Sequence, residues 1–473
     1  MNQRRSNWPA GIGLLLLATS IDAADAAQPL AAQLDSYMTA RADLGHFSGS
    51  AYIAKSGEVL LSKGYGFADA AKTEPNTPDT VYHAASLTKQ FAAMAVMILQ
   101  ERRLLSTSDH IADRLEGAPE TWRDITIRHL LMHTSGIPDY ESELVMDSPA
   151  YTEFMTKPNV AARILAAAKE KPLRFEPGTQ FEYSNTGYIV LGFIIERAAG
   201  VPFNEFLQRE IFQPLDMTHS AHDRGGLTID HRARGYTLAE QFSFKKLFAG
   251  YSFPADFTAA PKLSFAPPQA DSALITTTLD LARWDRALAD GKLVTRVSMD
   301  EMFTPGLANY AYGWIVDGEP GKRRQWHTGV LPGFISRIER YPDERFTIIL
   351  LANTSLGLDR IAADLAAICR AQPVTLPVRR TIIDLKPPEY QPLLGRYVDD
   401  QGRTLEVEHD GEMVTVGLKG KFVSGLLAES PCTFFSVMFN GPVRFETDKQ
   451  GRVSEIVMQV KGQEWRAKRT KDE

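Results

Sequence analysis

His83-Ala84-Ala85-Ser86-Leu87-Thr88-Lys89 leads into Phe91-Ala92-Ala93-Met94-Ala95-Val96-Met97-Ile98-Leu99, and this junction decides how the rest of the chain is read. The run after Lys89 is apolar nearly all round, which predicts a helix passing through a core rather than lying on a surface. On that helix Ser86 and Lys89 fall one turn apart on one face. A serine hydroxyl is a poor nucleophile and must lose its proton as it attacks. A desolvated lysine can act as the base, because burial disfavours its charged form, or as a cation that acidifies another base. The same spacing in Ser243-Phe244-Lys245-Lys246 has no apolar helix behind it and reads as a loop or surface serine.

The chain has 473 residues, 44% hydrophobic and 23% charged, a globular composition large enough for more than one domain. A net charge of −6 and the absence of a basic stripe argue against nucleic acid as a partner. Arg4 and Arg5, an apolar stretch around Ile12 to Ala18 and the small residues Ala23 to Ala27 have the order of a secretory signal peptide. The expectation is a signal over residues 1–27, with the mature protein periplasmic or secreted and without a stable membrane span. Of the two cysteines, Cys369 and Cys432, the expectation is two unlinked thiols rather than a disulfide or a zinc site.

From Gln28 to Arg41 the pattern predicts a helix, then strands over Gly49 to Ala54 and Val59 to Tyr65 around a Ser56-Gly57 turn. Residues from about 105 to 279 read as mostly helical. Strands return at Tyr312 to Val316, Arg324 to Thr328, Phe334 to Tyr341 and Phe346 to Ala352, followed by a helix over Arg360 to Arg370. The class is therefore α+β: an antiparallel sheet built from both ends of the domain, flanked by helices, with a helical insertion between its halves. A ligand crevice is expected between the two lobes. The expected domain spans 28–371, with a linker over 372–389 and a C-terminal β domain over 390–473. In that last domain alternating segments punctuated by Asp410-Gly411, Asn440-Gly441 and Gln450-Gly451 predict a small antiparallel barrel or meander.

Two further motifs are candidates to meet Ser86. Tyr183-Ser184-Asn185 is the one Tyr-x-Asn among fifteen tyrosines. It follows a strand-like Gln180 to Glu182 and precedes an apolar helix. A phenol can act as a base when a cation such as Lys89 lowers its pKa, and the Asn185 amide can orient a substrate amide. His327-Thr328-Gly329 lies at the end of a predicted strand, where glycine permits close backbone approach to a ligand. The backbone N–H groups of Ser86 and Val330 would then form an oxyanion hole, in which each donor is typically worth about 3 kcal/mol.

With Ser-x-x-Lys, Tyr-x-Asn and His-Thr-Gly in this order, the chain resembles the penicillin-recognising serine hydrolases: class C β-lactamases, D,D-peptidases and related esterases. The resemblance covers about Leu34 to Arg370 and includes Leu130-Leu131-Met132-His133-Thr134-Ser135-Gly136-Ile137-Pro138-Asp139-Tyr140. It implies a β-lactamase/transpeptidase-like fold, with Ser86 as nucleophile and Lys89 and Tyr183 as the proton-transfer pair. It further implies Asn185 as a substrate ligand and His327, Thr328 and Gly329 beside a substrate carboxylate, with no metal or organic cofactor. Substrates of the resembling proteins are D-amino-acid peptides of the cell-wall type, esters and β-lactams. The β-lactamases usually carry lysine where His327 stands; a partly charged histidine would hold a carboxylate less well as pH rises, so efficient β-lactam hydrolysis is not expected. The C-terminal domain looks like the lipocalin-like modules of some members. Two other readings compete. One is a catalytically weak receptor or scaffold with the same fold. The other is a metal hydrolase using His129 and His133, disfavoured because Leu130 stands where the zincin pattern needs glutamate.

Overall fold

The structure is a computed structural model that describes residues 29–71, 73–142, 148–224, 229–239, 244–418, 422–436, 438–439, 441–460 and 463–470. The expected signal peptide and Ser243 lie outside the described residues. The chain forms two compact units, one of residues 29–242 and 251–371, the other containing residues 243–250 and 372–473.

In the first unit six antiparallel strands form the sheet. Their order is Ile315–Asp317, Arg324–Leu331, Phe334–Tyr341, Phe346–Ala352, Gly49–Lys55 and Glu58–Tyr65. Sequence-distant halves join in the middle, where Gly49 pairs with Ala352 and Ile53 with Ile348. Phe334–Tyr341 and Phe346–Ala352 are buried along their whole length, as strands covered on both faces must be. Helices Leu30–Asp43 and Asp359–Cys369 agree with the expected ones to within about two residues. Helix Thr88–Glu101 is buried continuously from Thr88 to Leu99. Phe91 stacks on Trp284 at 4.4 Å, and Trp284 Nε1 donates to Gln90 Oε1 at 3.1 Å, so the amide oxygen of this buried glutamine is satisfied.

Three expectations change. Ser86 is not on the helix but in the turn before it, between strand Tyr82–Ala85 and the first helical residue, Thr88. The Lys89 N–H still donates to Ser86 O at 3.1 Å, so the turn reproduces the spacing of a helix start. Residues 105–279 are not wholly helical, because short strands form at Ala221–His222, Tyr236–Leu238, Phe257–Ala259 and Leu274–Thr276. Leu274–Thr276 pairs with Tyr82–Ala85, so part of the insertion is recruited to support the segment that carries Ser86. Gln180 to Glu182 is irregular rather than a strand; its Glu182 N–H is taken by His133 O at 3.0 Å.

The second unit is a closed eight-stranded antiparallel barrel in sequence order, from Gly395–Asp399 to Gln463–Arg469, the latter pairing back onto the former. Strands Gly395–Asp399, Phe422–Ala428 and Gln463–Arg469 were not apparent in the alternation of the sequence. Tyr397, Leu405, Val407, Val416, Leu426, Phe434, Phe445, Ile456 and Met458 pack into its core. Eight strands give an interior just wide enough for side chains to fill, and these residues line it. The stretch read as a linker is partly structural: Ile383 N–H donates to Ala428 O at 2.8 Å, and Ile383 and Leu385 pack on the barrel core. Both cysteines are free thiols, Cys369 buried and Cys432 half-buried.

One glycine brings the sheet to the Ser86 turn. A Cβ on Gly329 would stand 2.3 Å from Ala84 O and 2.4 Å from Ser336 Oγ, and Ser336 Oγ itself donates to Ala84 O at 2.7 Å. Gly329→Ala is expected to destabilise the protein by about 1–3 kcal/mol through overpacking, measured by urea unfolding; an unchanged midpoint would mean that this strand can step away from Ala84 freely.

Candidate active site

The turn at Ser86 is set up by Ala85, whose φ of 48° lies in the left-handed region that a side-chain-bearing residue adopts at a cost. Lys89 follows in the first helical turn and is fully buried. Its ammonium has three N–H groups, and each has an acceptor. They are Ser86 Oγ at 3.1 Å, Asn185 Oδ1 at 2.7 Å and Asp271 O at 3.0 Å. The faces of Tyr183 and Tyr188 complete the enclosure, with ring centroids 5.0 and 5.4 Å from Nζ. The full set of acceptors fits an ammonium and leaves this nitrogen acting as a donor toward Ser86.

Tyr183-Ser184-Asn185 is positioned by a helix start. Ser184 caps helix Asn185–Ala199, its Oγ accepting from Gly187 N at 3.2 Å. His133 packs on Tyr183 with ring centroids 4.2 Å apart, and His133 Nδ1 accepts from Ser184 N at 3.0 Å. Asp139 accepts from the Asn185 N–H at 2.8 Å and from Thr186 N–H at 3.4 Å, a carboxylate at the positive end of a helix. The Asn185 amide group is shared between Asp139 Oδ2 at 3.4 Å and Glu141 Oε2 at 3.0 Å. With its carbonyl on Lys89 and its amide nitrogen on two carboxylates, Asn185 is committed to protein partners. The contacts make it a link between Lys89 and the two acids, beside the substrate-binding role that the resemblance implied.

His327 also differs from expectation. It is 3% exposed, and its Nδ1 donates to Thr328 O at 2.6 Å, so Nε2 is the acceptor for Tyr310 O–H at 2.9 Å. Burial, reinforced by the nearby Lys89 charge, pushes its pKa down to about 3. The ring is neutral across the physiological range and offers a carboxylate no charge, so the pH-dependent hold expected of it does not arise. Beyond it Thr328 is half-buried and Val330 is 45% exposed, while Gly329 brings this strand against Ala84 beside Ser86.

Three residues of the site carried no motif signal. Asp271 contributes its backbone oxygen, which any residue type could supply. Its buried carboxylate accepts from Tyr140 O–H at 3.2 Å and Ser272 O–H at 3.0 Å. Glu141 and Tyr310 are similarly visible only in three dimensions, whereas Asp139 stood inside a quoted motif without a role. Desolvation raises the pKa of Asp139, Asp271 and Glu141, the last to about 7 with help from the neighbouring carboxylates. His129 and His133, the pair behind the metal reading, are held apart in function. His129 Nδ1 accepts from Thr126 N at 3.2 Å in a helix cap, and His133 Nδ1 from Ser184 N in the aromatic cluster. Among the described residues no group of His, Cys, Asp and Glu is arranged to hold a metal ion.

Comparison with known proteins agrees with this geometry. The chain belongs to the Beta-lactamase family, which it matches over residues 34–371. It is 29% identical over 444 residues to penicillin-binding protein 4* of Bacillus subtilis (strain 168), covering 90% of this chain and 95% of that one. The solved penicillin binding protein from Bacillus halodurans is 27% identical, with a TM-score of 0.61 over 70% of this chain and 98% of that chain. The fold is shared too by the D-amino acid amidase from Ochrobactrum anthropi SV3, at 22% identity and a TM-score of 0.59 over 72% of this chain and 98% of that chain. The protein is thus a serine hydrolase of the penicillin-binding type, with a β-lactamase/transpeptidase-like domain and a C-terminal barrel.

The state of His327 is directly measurable. Nitrogen chemical shifts of labelled histidine are expected to show this ring as the neutral Nδ1–H form from pH 8 down to about pH 4. Because an unfolded histidine takes up a proton near pH 6.5 and this one does not until about pH 3, the site lowers stability progressively as pH falls below 6.5. A ring that titrates near 6.5 in the folded protein would contradict the burial described.

Proposed function

We propose that this protein is an exported acyl-transfer hydrolase that cleaves amide or ester bonds of D-amino-acid substrates through an acyl-enzyme on Ser86. The observation that carries this reading is the Lys89 ammonium, fully encaged and 3.1 Å from Ser86 Oγ. An ammonium that donates to Ser86 Oγ stabilises the negative charge that develops on this oxygen as the alcohol attacks. Tyr183 is then the group that receives the proton. In the first step a bond forms between Ser86 Oγ and the acyl carbon, the Oγ proton passes to the Tyr183 oxygen, which enters the cycle as a phenolate, and the carbonyl oxygen turns to the Ser86 and Val330 N–H groups. Collapse breaks the bond to the leaving nitrogen or oxygen, which takes the proton from Tyr183. Water then attacks the ester, gives a proton to Tyr183, and Ser86 recovers its own. General acid-base help of this kind is worth about 10²- to 10⁴-fold.

The preference for D-amino-acid amides and peptides, as found in cell walls, rests on likeness. One relative over nearly the whole chain is a penicillin-binding protein, and one structural neighbour is a D-amino acid amidase. The neutral, doubly hydrogen-bonded His327 supplies no cation for a substrate carboxylate, so within that class it favours amides and esters without a free carboxylate over β-lactams and carboxylate-terminated peptides. Export over a 27-residue signal is part of the same proposal; its check is the N-terminal residue of the protein recovered from the periplasm or medium.

Ser86→Ala is expected to abolish labelling by a fluorophosphonate and by a fluorescent penicillin while leaving the unfolding midpoint near that of the wild type. Tyr183→Phe should retain the fold and lower kcat by about 10²-fold or more on a D-alanine anilide. Persistent labelling of the Ser86→Ala protein would locate the nucleophile elsewhere, and wild-type kinetics for Tyr183→Phe would remove the phenol from the proton path. A panel of a D-Ala-D-Ala peptide, a D-amino-acid amide, a short-chain ester and a penicillin, read by mass spectrometry of the acyl-enzyme, separates the substrate classes.

A further inference from the structure

A continuous chain of hydrogen bonds runs away from Ser86 through Lys89. Lys89 Nζ donates to Ser86 Oγ and to Asn185 Oδ1; Asn185 Nδ2 donates to Glu141 Oε2 at 3.0 Å; and Tyr151 O–H donates to Glu141 Oε1 at 3.2 Å. Tyr151 is fully buried on helix Pro149–Met155 and packs with Met155, Val160, Ile164 and Ile189, so the far end of the chain is anchored in a small hydrophobic core. An asparagine amide can be turned either way round, and only its surroundings decide which end is which. Here two carboxylates, Asp139 and Glu141, accept from one end, which forces the carbonyl toward the ammonium.

From this geometry we infer that Glu141 is a positioning residue of the hydrolytic reaction: it fixes the Asn185 amide and adds a negative charge behind Lys89, so that its protonation state governs how strongly Lys89 is held against Ser86. The inference rests on the reading of Ser86 and Lys89 as nucleophile and cation given above.

The two acids are not equivalent. Asp139 is pinned by two backbone N–H groups at the start of a fifteen-residue helix, which stabilise its charged form. Glu141 has no such amides. The charged and titratable groups around it are Asp139 and Tyr140 in its own turn, Lys89 from helix Thr88–Glu101, Tyr151 from helix Pro149–Met155, and Asp271 from the segment before strand Leu274–Thr276. Burial and the two neighbouring carboxylates make its proton hard to remove, while Lys89 and the Tyr151 hydroxyl oppose them. The balance lies at about 7, so Glu141 is the member of the cluster that changes charge near neutrality. Below that pH it is a neutral acid and Lys89 loses one of its countercharges; above it the cage is complete.

The test is the second-order rate of Ser86 labelling by a fluorophosphonate from pH 5.5 to 9, using the full-length mature protein. In the wild type the rate should fall as pH drops through about 7. Glu141→Gln, permanently neutral, should label at pH 8 about tenfold more slowly, the change expected for a loss of one pKa unit of interaction, and show no step near pH 7. Tyr151→Phe removes a hydrogen bond that favours the Glu141 carboxylate, so its step should move to higher pH. A purely structural role for either residue would lower the rate without moving the step. If Glu141→Gln fails to fold by circular dichroism, the direction of the Tyr151→Phe shift decides. A wild-type profile in both variants, with Ser86 still labelled, overturns the role of Glu141 and leaves the nucleophile assignment intact. Failure of the wild type to label at Ser86 at any pH removes both.

Discussion

A positive charge taken wholly out of water is the constraint around which this domain is organised. Desolvating an ammonium costs several kcal/mol even after relaxation, and leaving one of its N–H groups unmatched would add to that. The fold meets the cost with acceptors drawn from three places in the chain: a hydroxyl three residues earlier, an amide carbonyl at the start of helix Asn185–Ala199, and the main-chain oxygen of residue 271. Each is held by something further out. The continuously buried helix fixes Lys89, the Ser184 cap and Asp139 fix Asn185, and the pairing of Leu274–Thr276 with Tyr82–Ala85 fixes both the Asp271 segment and the turn of Ser86. The reactive alcohol is placed by the same contacts that satisfy the lysine.

Charge also sets the character of the surroundings. Asp139, Glu141 and Asp271 all interact electrostatically with Lys89, while the two histidines nearest the site are kept neutral by burial. His327 and His133 consequently act through shape and hydrogen bonding. One is clamped between Thr328 O and the Tyr310 hydroxyl, and the other stacks on Tyr183 and accepts from the backbone of Ser184. A histidine at position 327 is therefore not a weaker version of a lysine there; it is a different kind of group, an uncharged spacer in the wall of the crevice.

The parts of this arrangement that were legible in the sequence share a property: each depends on residue type repeated at a local spacing. The all-apolar run after Lys89 announced a core helix, alternation announced the sheet strands, and Ser86, Lys89, Tyr183 and His327 stood in short motifs whose order carried the family resemblance. What stayed hidden depends on distance through space. The acceptor at residue 271 is a main-chain atom, so no side-chain pattern marks it. Glu141 follows a motif without belonging to it, and Tyr310 is one aromatic among many. The neutrality of His327 needed its burial to be known, since the exposed side chain would be partly charged near pH 6.5. In the C-terminal unit, strand Gln463–Arg469 alternates poorly in sequence because only Trp465 and Ala467 on its more buried face are apolar.

The manner in which that second unit is finished has a consequence for the company the protein can keep. The six-stranded sheet ends in two rims, at Ile315–Asp317 and Glu58–Tyr65, where main-chain groups lack a neighbouring strand, and such rims are where stray polypeptides add themselves. The barrel has none, because Gly395–Asp399 is zipped to Gln463–Arg469 along the seam. A seamless cylinder can be appended to a hydrolase without offering other chains a ledge on which to polymerise.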